Sequence, residues 1–193
     1  MKRKEKIVES ATSLFAAQGF EATTTLQIAL KSGVTEPLIY YHFAGKDELF
    51  THILENSFNK YFNVLYDLPK NSTTEFTKII NLFEMHFHIV DEFPETMRLI
   101  ISNCPAKLYD PESVCGQNYQ KARHFLFDYF KGCLMSGIKR NEFRDVSLSG
   151  TANMLVALTN GLLRQLIFKL GDTDGVKEAT TEFCKNSLLI KCL

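Results

Sequence analysis

The chain has 193 residues, 45% of them hydrophobic, with 22 Lys and Arg balancing 22 Asp and Glu for a formal net charge of zero. That is enough apolar material for one fair-sized domain, or a small one and a medium one, with a real core. Sixteen Phe, no Trp, ten Gly and five Pro favour packed helices over loop-rich or β architecture, no apolar run approaches the roughly 20 residues of a membrane span, and the neutral balance gives no overall electrostatic sign of a nucleic-acid partner.

The first predicted helix runs from about Arg3 to Gln18. Ile7, Ala11, Leu14 and Phe15 fall on one face, and Gly19 is placed to end it. Ahead of it, Met1-Lys2-Arg3-Lys4 has no apolar h-region, so it reads as a basic arm and not a secretion signal. A short second helix follows. Thr24 can cap it, and Gln27, three residues on, can return a bond to the cap's own N–H. Ser32-Gly33 breaks it, with Gly supplying a left-handed turn. Thr35 can cap the third helix, about Thr35 to Phe43, and Pro37 is tolerated in its first turn. Two short helices about a glycine turn describe a helix-turn-helix, whose second helix would enter the major groove of DNA.

The fourth helix starts at about Lys46, with Asp47 and Glu48 in its first turn as the macrodipole favours. Its stripe is Phe50, Leu54, Phe58, Phe62 and Leu65, and it ends before Leu68-Pro69. Lys70-Asn71-Ser72 is a linker. A helix from about Thr73 to Glu92 carries Phe76, Ile80, Phe83, Phe87 and Val90. Phe93-Pro94 breaks it, and Glu95 to Asn103 is a short helix stopped by Cys104-Pro105. A long helix spans about Glu112 to Ile138, and 139–145 is a turn. Two last helices follow, about Ser147–Lys169 and Thr173–Lys191, split by Gly171-Asp172. The expectation is an all-α chain of about nine helices. It divides into a helix-turn-helix domain over 1–46 and a helical body over 47–193, which share the fourth helix.

The head resembles the tetracycline-repressor (TetR) family of transcriptional regulators. The resemblance rests on Ile7, Ala11, Leu14, Phe15, Gly19, Phe20, Thr24-Thr25, Ile28-Ala29, Gly33-Val34, Tyr40-Tyr41-His42-Phe43, Lys46-Asp47 and Leu49-Phe50. It covers about the first fifty residues, and spacing, turn and aromatic-His-aromatic run all agree. Beyond residue 60 the likeness is one of architecture only. The resemblance implies a ligand-responsive DNA-binding regulator, a repressor released from a palindromic double-stranded operator by a small molecule. Positions matching Thr25, Tyr40, Tyr41, His42 and Lys46 would hold backbone phosphates, with Thr24 beside them. Those matching Thr35, Glu36, Pro37 and Leu38 would face the groove. Glu36 could accept from a cytosine amino group, and Pro37 and Leu38 could pack on thymine methyls. These positions are short of long donors, which leaves the operator sequence open. Tyr40 and Tyr41 are adjacent and cannot both face one core, so one should lie outside; Phe43 should be core.

Six Lys and Arg (Lys2, Arg3, Lys4, Lys6, Lys31, Lys46) balance six acids (Glu5, Glu9, Glu21, Glu36, Asp47, Glu48) over residues 1–50. The basic residues gather at the arm and at Lys46, where phosphates would lie. Small residues on the last two helices (Ala152, Ala157, Gly161, Ala179, Ser187) let helices approach closely and suggest a four-helix homodimer interface. Interior candidates for an effector site are Phe62, Leu65, Phe83, His86, Phe87, Met97, Ile101, Tyr119, Phe127 and Met154, joined by Phe130, His88, Asn103, Tyr129 and Asn160. Such a site suits a hydrophobic or aromatic small molecule. His86 and His88, at i and i+2, do not share a helix face, so no metal site is expected from them, and no cofactor is expected.

Five Cys without C-x-x-C spacing read as small hydrophobes in a reducing cytoplasm, with thiol or redox sensing as the alternative. No nucleophile-elbow, P-loop, dinucleotide or H-E-x-x-H motif appears, so the chain is not expected to be an enzyme. The competing reading is a helical small-molecule-binding or interaction protein with a vestigial helix-turn-helix, supported by the neutral charge and by Leu26, Glu36 and Leu38.

Overall fold

The computed structural model describes residues 3–69, 73–102, 110 and 112–190. Among them are nine helices: α1 (Arg3–Ala22), α2 (Thr25–Ser32), α3 (Glu36–His42), α4 (Lys46–Tyr66), α5 (Glu75–Glu92), α6 (Pro94–Ser102), α7 (Val114–Lys139), α8 (Leu148–Phe168) and α9 (Val176–Leu188). Their β pairing is a single isolated bridge, Phe143 with Leu189, so the all-α expectation holds. No helix among the described residues is long and apolar enough to cross a membrane.

The chain forms two compact units. The first comprises residues 1–61 and 93–119, the second 62–92 and 120–193. In the first, α1 packs against α2, α3 and α6. Ile7, Ala11 and Phe15 are fully buried, as their spacing predicts. Phe15 stacks on Phe20 and meets Phe50 edge-on. Gly19 sits at φ 82° and ψ 172° inside the run assigned to α1. That conformation is open essentially only to glycine, so the predicted stop at Gly19 is a kink, and the Thr23 hydroxyl donates to the Gly19 carbonyl at 2.7 Å.

In the second unit, α5 packs against α8 and α9. The predicted stripe of α5 is off by one position in its first turns. Ile79 and Leu82 are buried, while Phe76 and Ile80 are only half-buried. The helix begins at Glu75 because the Glu142 carboxylate accepts from the N–H groups of Glu75 and Phe76 at 2.9 and 2.7 Å. The 139–145 turn is therefore a clasp. Glu142 caps α5, Phe143 is buried beside Gly137, and the Arg144 guanidinium donates to the carbonyls of Asn186 and Leu189. Glu75 is itself buried, paired with Lys78 at 2.9 Å and Arg140 at 3.6 Å. The last helix starts at Val176, three residues later than predicted, behind Gly175 at φ 71°.

Candidate nucleic-acid interface

The helix-turn-helix is built as local chemistry requires. The Gln27 N–H donates to the Thr24 hydroxyl at 3.2 Å, and the Thr24 N–H donates to the Gln27 side-chain oxygen at 2.9 Å, closing the capping box. Gln18 donates to the same Gln27 oxygen at 3.0 Å and so ties α1 to the start of α2. Gly33 lies at φ 67° and ψ 34°, and its N–H and that of Val34 close the C-terminal turn of α2. Thr35 occupies the cap position of α3 but makes no side-chain cap bond; Pro37 follows in the first turn, as expected. Ile28, Ala29, Ile39 and Phe43 are buried and fix the angle between the two helices.

That packing leaves one face of the pair open. Tyr40 and Tyr41 are both exposed, Tyr41 by 81%, where the sequence led to the expectation of one. Tyr41 meets the His42 ring edge-on, with centroids 5.1 Å apart. Thr24, Thr35 and Pro37 are exposed, and Thr25, Glu36, Leu38, His42 and Lys46 are half-buried. Sequence reasoning missed the bonds that engage these side chains. The Thr25 hydroxyl donates to the Glu36 carboxylate and lies 3.5 Å from the Tyr40 hydroxyl. Lys46 donates to the Phe20 carbonyl at 2.9 Å, with its ammonium 4.2 Å from the centre of the Phe20 ring. At the start of α4 the Glu48 carboxylate accepts from the Ala44 N–H. Leu26 and Leu30 stand exposed on α2, with no signal in the sequence beyond their places off the buried face.

The effector candidates divide between the units. Met97, Ile101 and Tyr119 lie in the first, where Met97 is buried and the other two half-buried. In the second, Phe62, Leu65, Phe83, His86 and Phe87 are buried and Phe127 is half-buried. Met154 departs from its predicted interior place. It is 66% exposed, because Leu155 and Val156 take the inward face of that turn of α8. Asn103 lies outside the described residues. His86 is neutral: burial holds its pKa down to about 4, although its bond to the Leu82 carbonyl at 2.7 Å pulls the other way. His88 is on the opposite, exposed side, beside Glu92 at 3.2 Å.

Two thiols behave as small hydrophobes. Burial and the Glu75 carboxylate push Cys133 up to about 12, and burial pushes Cys184 up to about 11. Cys115 departs from the expectation of free thiols, since it is disulfide-bonded. Cys104 and Cys192 lie outside the described residues.

Two short helices held at a glycine turn, with an open tyrosine-lined face, define a helix-turn-helix DNA-binding protein. Residues 7–53 match the family described as "Bacterial regulatory proteins, tetR family". Over 97% of its length the chain is 23% identical to 92% of the uncharacterized HTH-type transcriptional regulator YfiR of Bacillus subtilis. A 62-residue stretch, 32% of the chain, is 32% identical to 34% of IcaR, the negative transcriptional regulator of the biofilm operon icaADBC of Staphylococcus epidermidis. The fold matches the ketosteroid transcriptional regulator KstR2 of Mycobacterium tuberculosis with a TM-score of 0.74 at 18% identity, over 98% of this chain and 96% of that one. The chain is a ligand-responsive, DNA-binding transcriptional regulator whose residues 7–53 match the tetR family.

Proposed function

We propose that the chain is a cytoplasmic, homodimeric repressor. Its head, residues 1–46, would bind a palindromic double-stranded operator, and a small hydrophobic or aromatic effector held by the body, residues 47–193, would release it. The observation that carries this reading is the open face of α2 and α3. Tyr40, Tyr41, Thr24 and Thr35 are presented to solvent while Ile39 and Phe43 anchor the helix from behind. Exposed hydroxyl donors beside a cationic side chain suit the phosphate backbone, which fixes register without reading sequence. In this reading Thr25, Tyr40, Tyr41, His42 and Lys46 meet phosphates, and Glu36, Pro37 and Leu38 face the bases.

One helix-turn-helix reads few base pairs, so a twofold dimer on a palindrome is the physically expected arrangement. The faces of α8 and α9 support it. Met154, Ala157 and Gly161 form an exposed stripe on α8, with open space where a Gly161 side chain would begin. Ala179 and Phe183 form another on α9. Apolar and small residues left open on a single chain suit a second copy. Of the small residues expected there, Ala152 is buried in its own chain instead.

For the effector, the buried Phe62, Leu65, Phe83, Phe87 and neutral His86 of the second unit offer apolar surroundings with few polar groups, with Phe127 in that unit, and Met97, Ile101 and Tyr119 in the first, as further candidates. A relative in fold being named for ketosteroids supports an apolar ligand class. Neither metal nor cofactor enters the scheme. A gel shift with DNA flanking the protein's own gene tests it. Retardation at submicromolar protein, with random DNA needing far more, is expected. Equal, weak retardation of both would favour a vestigial helix-turn-helix.

A further inference from the structure

Glu36 is half-buried, and its carboxylate is engaged. It accepts the Thr25 hydroxyl, which also lies 3.5 Å from the Tyr40 hydroxyl. Glu36 and Tyr40 are four residues apart on α3 and share a face, while Thr25 opens α2. Three side chains from two helices thus meet around one anionic group, on the face proposed to meet DNA. A threonine hydroxyl has one proton to donate. While the Glu36 carboxylate takes it, no phosphate oxygen can.

We propose that Glu36 is a built-in phosphate surrogate that sets sequence specificity: its carboxylate holds the Thr25 donor against the DNA backbone and yields it only where the groove offers an amino group to receive the carboxylate. On a random duplex, the carboxylate stays on Thr25. The phosphate that would dock there loses a donor and faces a like charge. Two unit charges 4 Å apart, screened as in bulk water, cost about fivefold in affinity. On an operator presenting a cytosine N4 or adenine N6 amino group at that step, the carboxylate moves to the base edge, as acidic side chains do on cytosine. The Thr25 hydroxyl then turns to the phosphate. Glu36 would thus discriminate more by penalising wrong sequences than by rewarding the right one. This deepens the proposed docking of α3 and rests on it.

The test is fluorescence anisotropy of the full-length protein on two duplexes, a random one and the operator selected by the wild type, across a salt series. Glu36→Ala frees the Thr25 donor and removes the charge. It is expected to raise random-duplex affinity about fivefold or more, to steepen the salt slope there by up to about one, and to leave operator affinity unchanged or lower. The ratio between the duplexes then narrows. Glu36→Gln, which keeps an acceptor for Thr25 but no charge, is read the same way with a smaller gain, and stands in if the alanine variant fails to fold by circular dichroism. Unchanged random-duplex affinity with a loss on the operator would make Glu36 a plain base reader and overturn the inference. Equal gains on both duplexes would overturn it too. Wild-type protein that prefers no sequence at all would instead refute the docking reading beneath it.

Discussion

Lys46 serves the fold and, in the proposed docking, the DNA, and its removal separates the two roles. Its ammonium donates to the Phe20 carbonyl at 2.9 Å and stands 4.2 Å from the centre of the Phe20 ring, tying the first turn of α4 to the end of α1. A charged hydrogen bond is worth about 1.5–3 kcal/mol when buried; at a half-buried site, discounted for solvent, about 1 kcal/mol remains. A partly exposed cation–π contact adds about 0.5–1 kcal/mol. Lys46→Ala should therefore cost roughly 1.5–2 kcal/mol and lower Tm by about 3–8 °C for a chain of this size. Its DNA signature is independent of that loss. One phosphate contact contributes about 0.9 to the salt slope. Affinity should fall on every duplex alike, and the wild-type advantage should shrink by about 3.5-fold between 50 and 200 mM salt. Lys46→Arg should retain the slope. The assays are calorimetric melting and anisotropy on operator and random duplexes. A variant that melts lower yet keeps the wild-type slope would confine Lys46 to tying the helices together and refute its place on phosphate.

The clasp at 139–145 gives a second expectation. Glu142→Ala leaves two N–H groups at the start of α5 without their acceptor, and should cost about 2–3 kcal/mol in urea unfolding; a loss under about 0.5 kcal/mol would show that the cap is dispensable. His86 makes stability depend on pH. Its folded pKa, about 4, lies below the unfolded value of 6.5, so between these values the unfolded chain binds more protons and stability falls as the solution is acidified. The full difference is roughly 3 kcal/mol. His86→Leu should flatten that part of the profile, and an unaltered profile in the variant would assign it to other groups. Coupling must also be reciprocal: a hydrophobic molecule that weakens operator binding tenfold should bind tenfold more weakly to operator-bound protein by isothermal titration, and equal affinities would show that it is not an inducer.

What the sequence showed follows from the range of the interactions. Thr24, Gln27 and Gly33 were legible because a capping box and a left-handed turn are settled within a few residues. Ile7, Ala11 and Phe15 on α1 and Leu54, Phe58, Phe62 and Leu65 on α4 were legible because helical spacing dictates them, whereas the predicted Leu14 and Phe50 are half-buried and Leu49, Ile53 and Tyr61 take buried places on α4 instead. Thr25 with Glu36, Lys46 with Phe20 and Glu142 with α5 were not. They join residues 11, 26 and 66–67 positions apart, and only the packed chain brings them together. The shifted stripe of α5 has the same origin. Its start is set by a carboxylate from a distant turn, so Ile79 and Leu82 face inward where periodicity alone favoured Phe76 and Ile80. Met154 misled because a methionine on an apolar helix reads as core, while α8 already fills that turn with Leu155 and Val156. At the candidate interface, the types and order of side chains could be read along the chain. That Glu36 is already engaged by Thr25 could not.

The central claim is that two copies of this chain hold one operator through α3. Sedimentation velocity of a fluorescently labelled duplex, taken from DNA flanking the gene, tests it in a single experiment. At micromolar protein the label is predicted to move as a complex of two chains per palindrome, and to return to the free-DNA position when salt is raised. A label that sediments with one chain, or stays at the free-DNA position at low salt, would contradict the account.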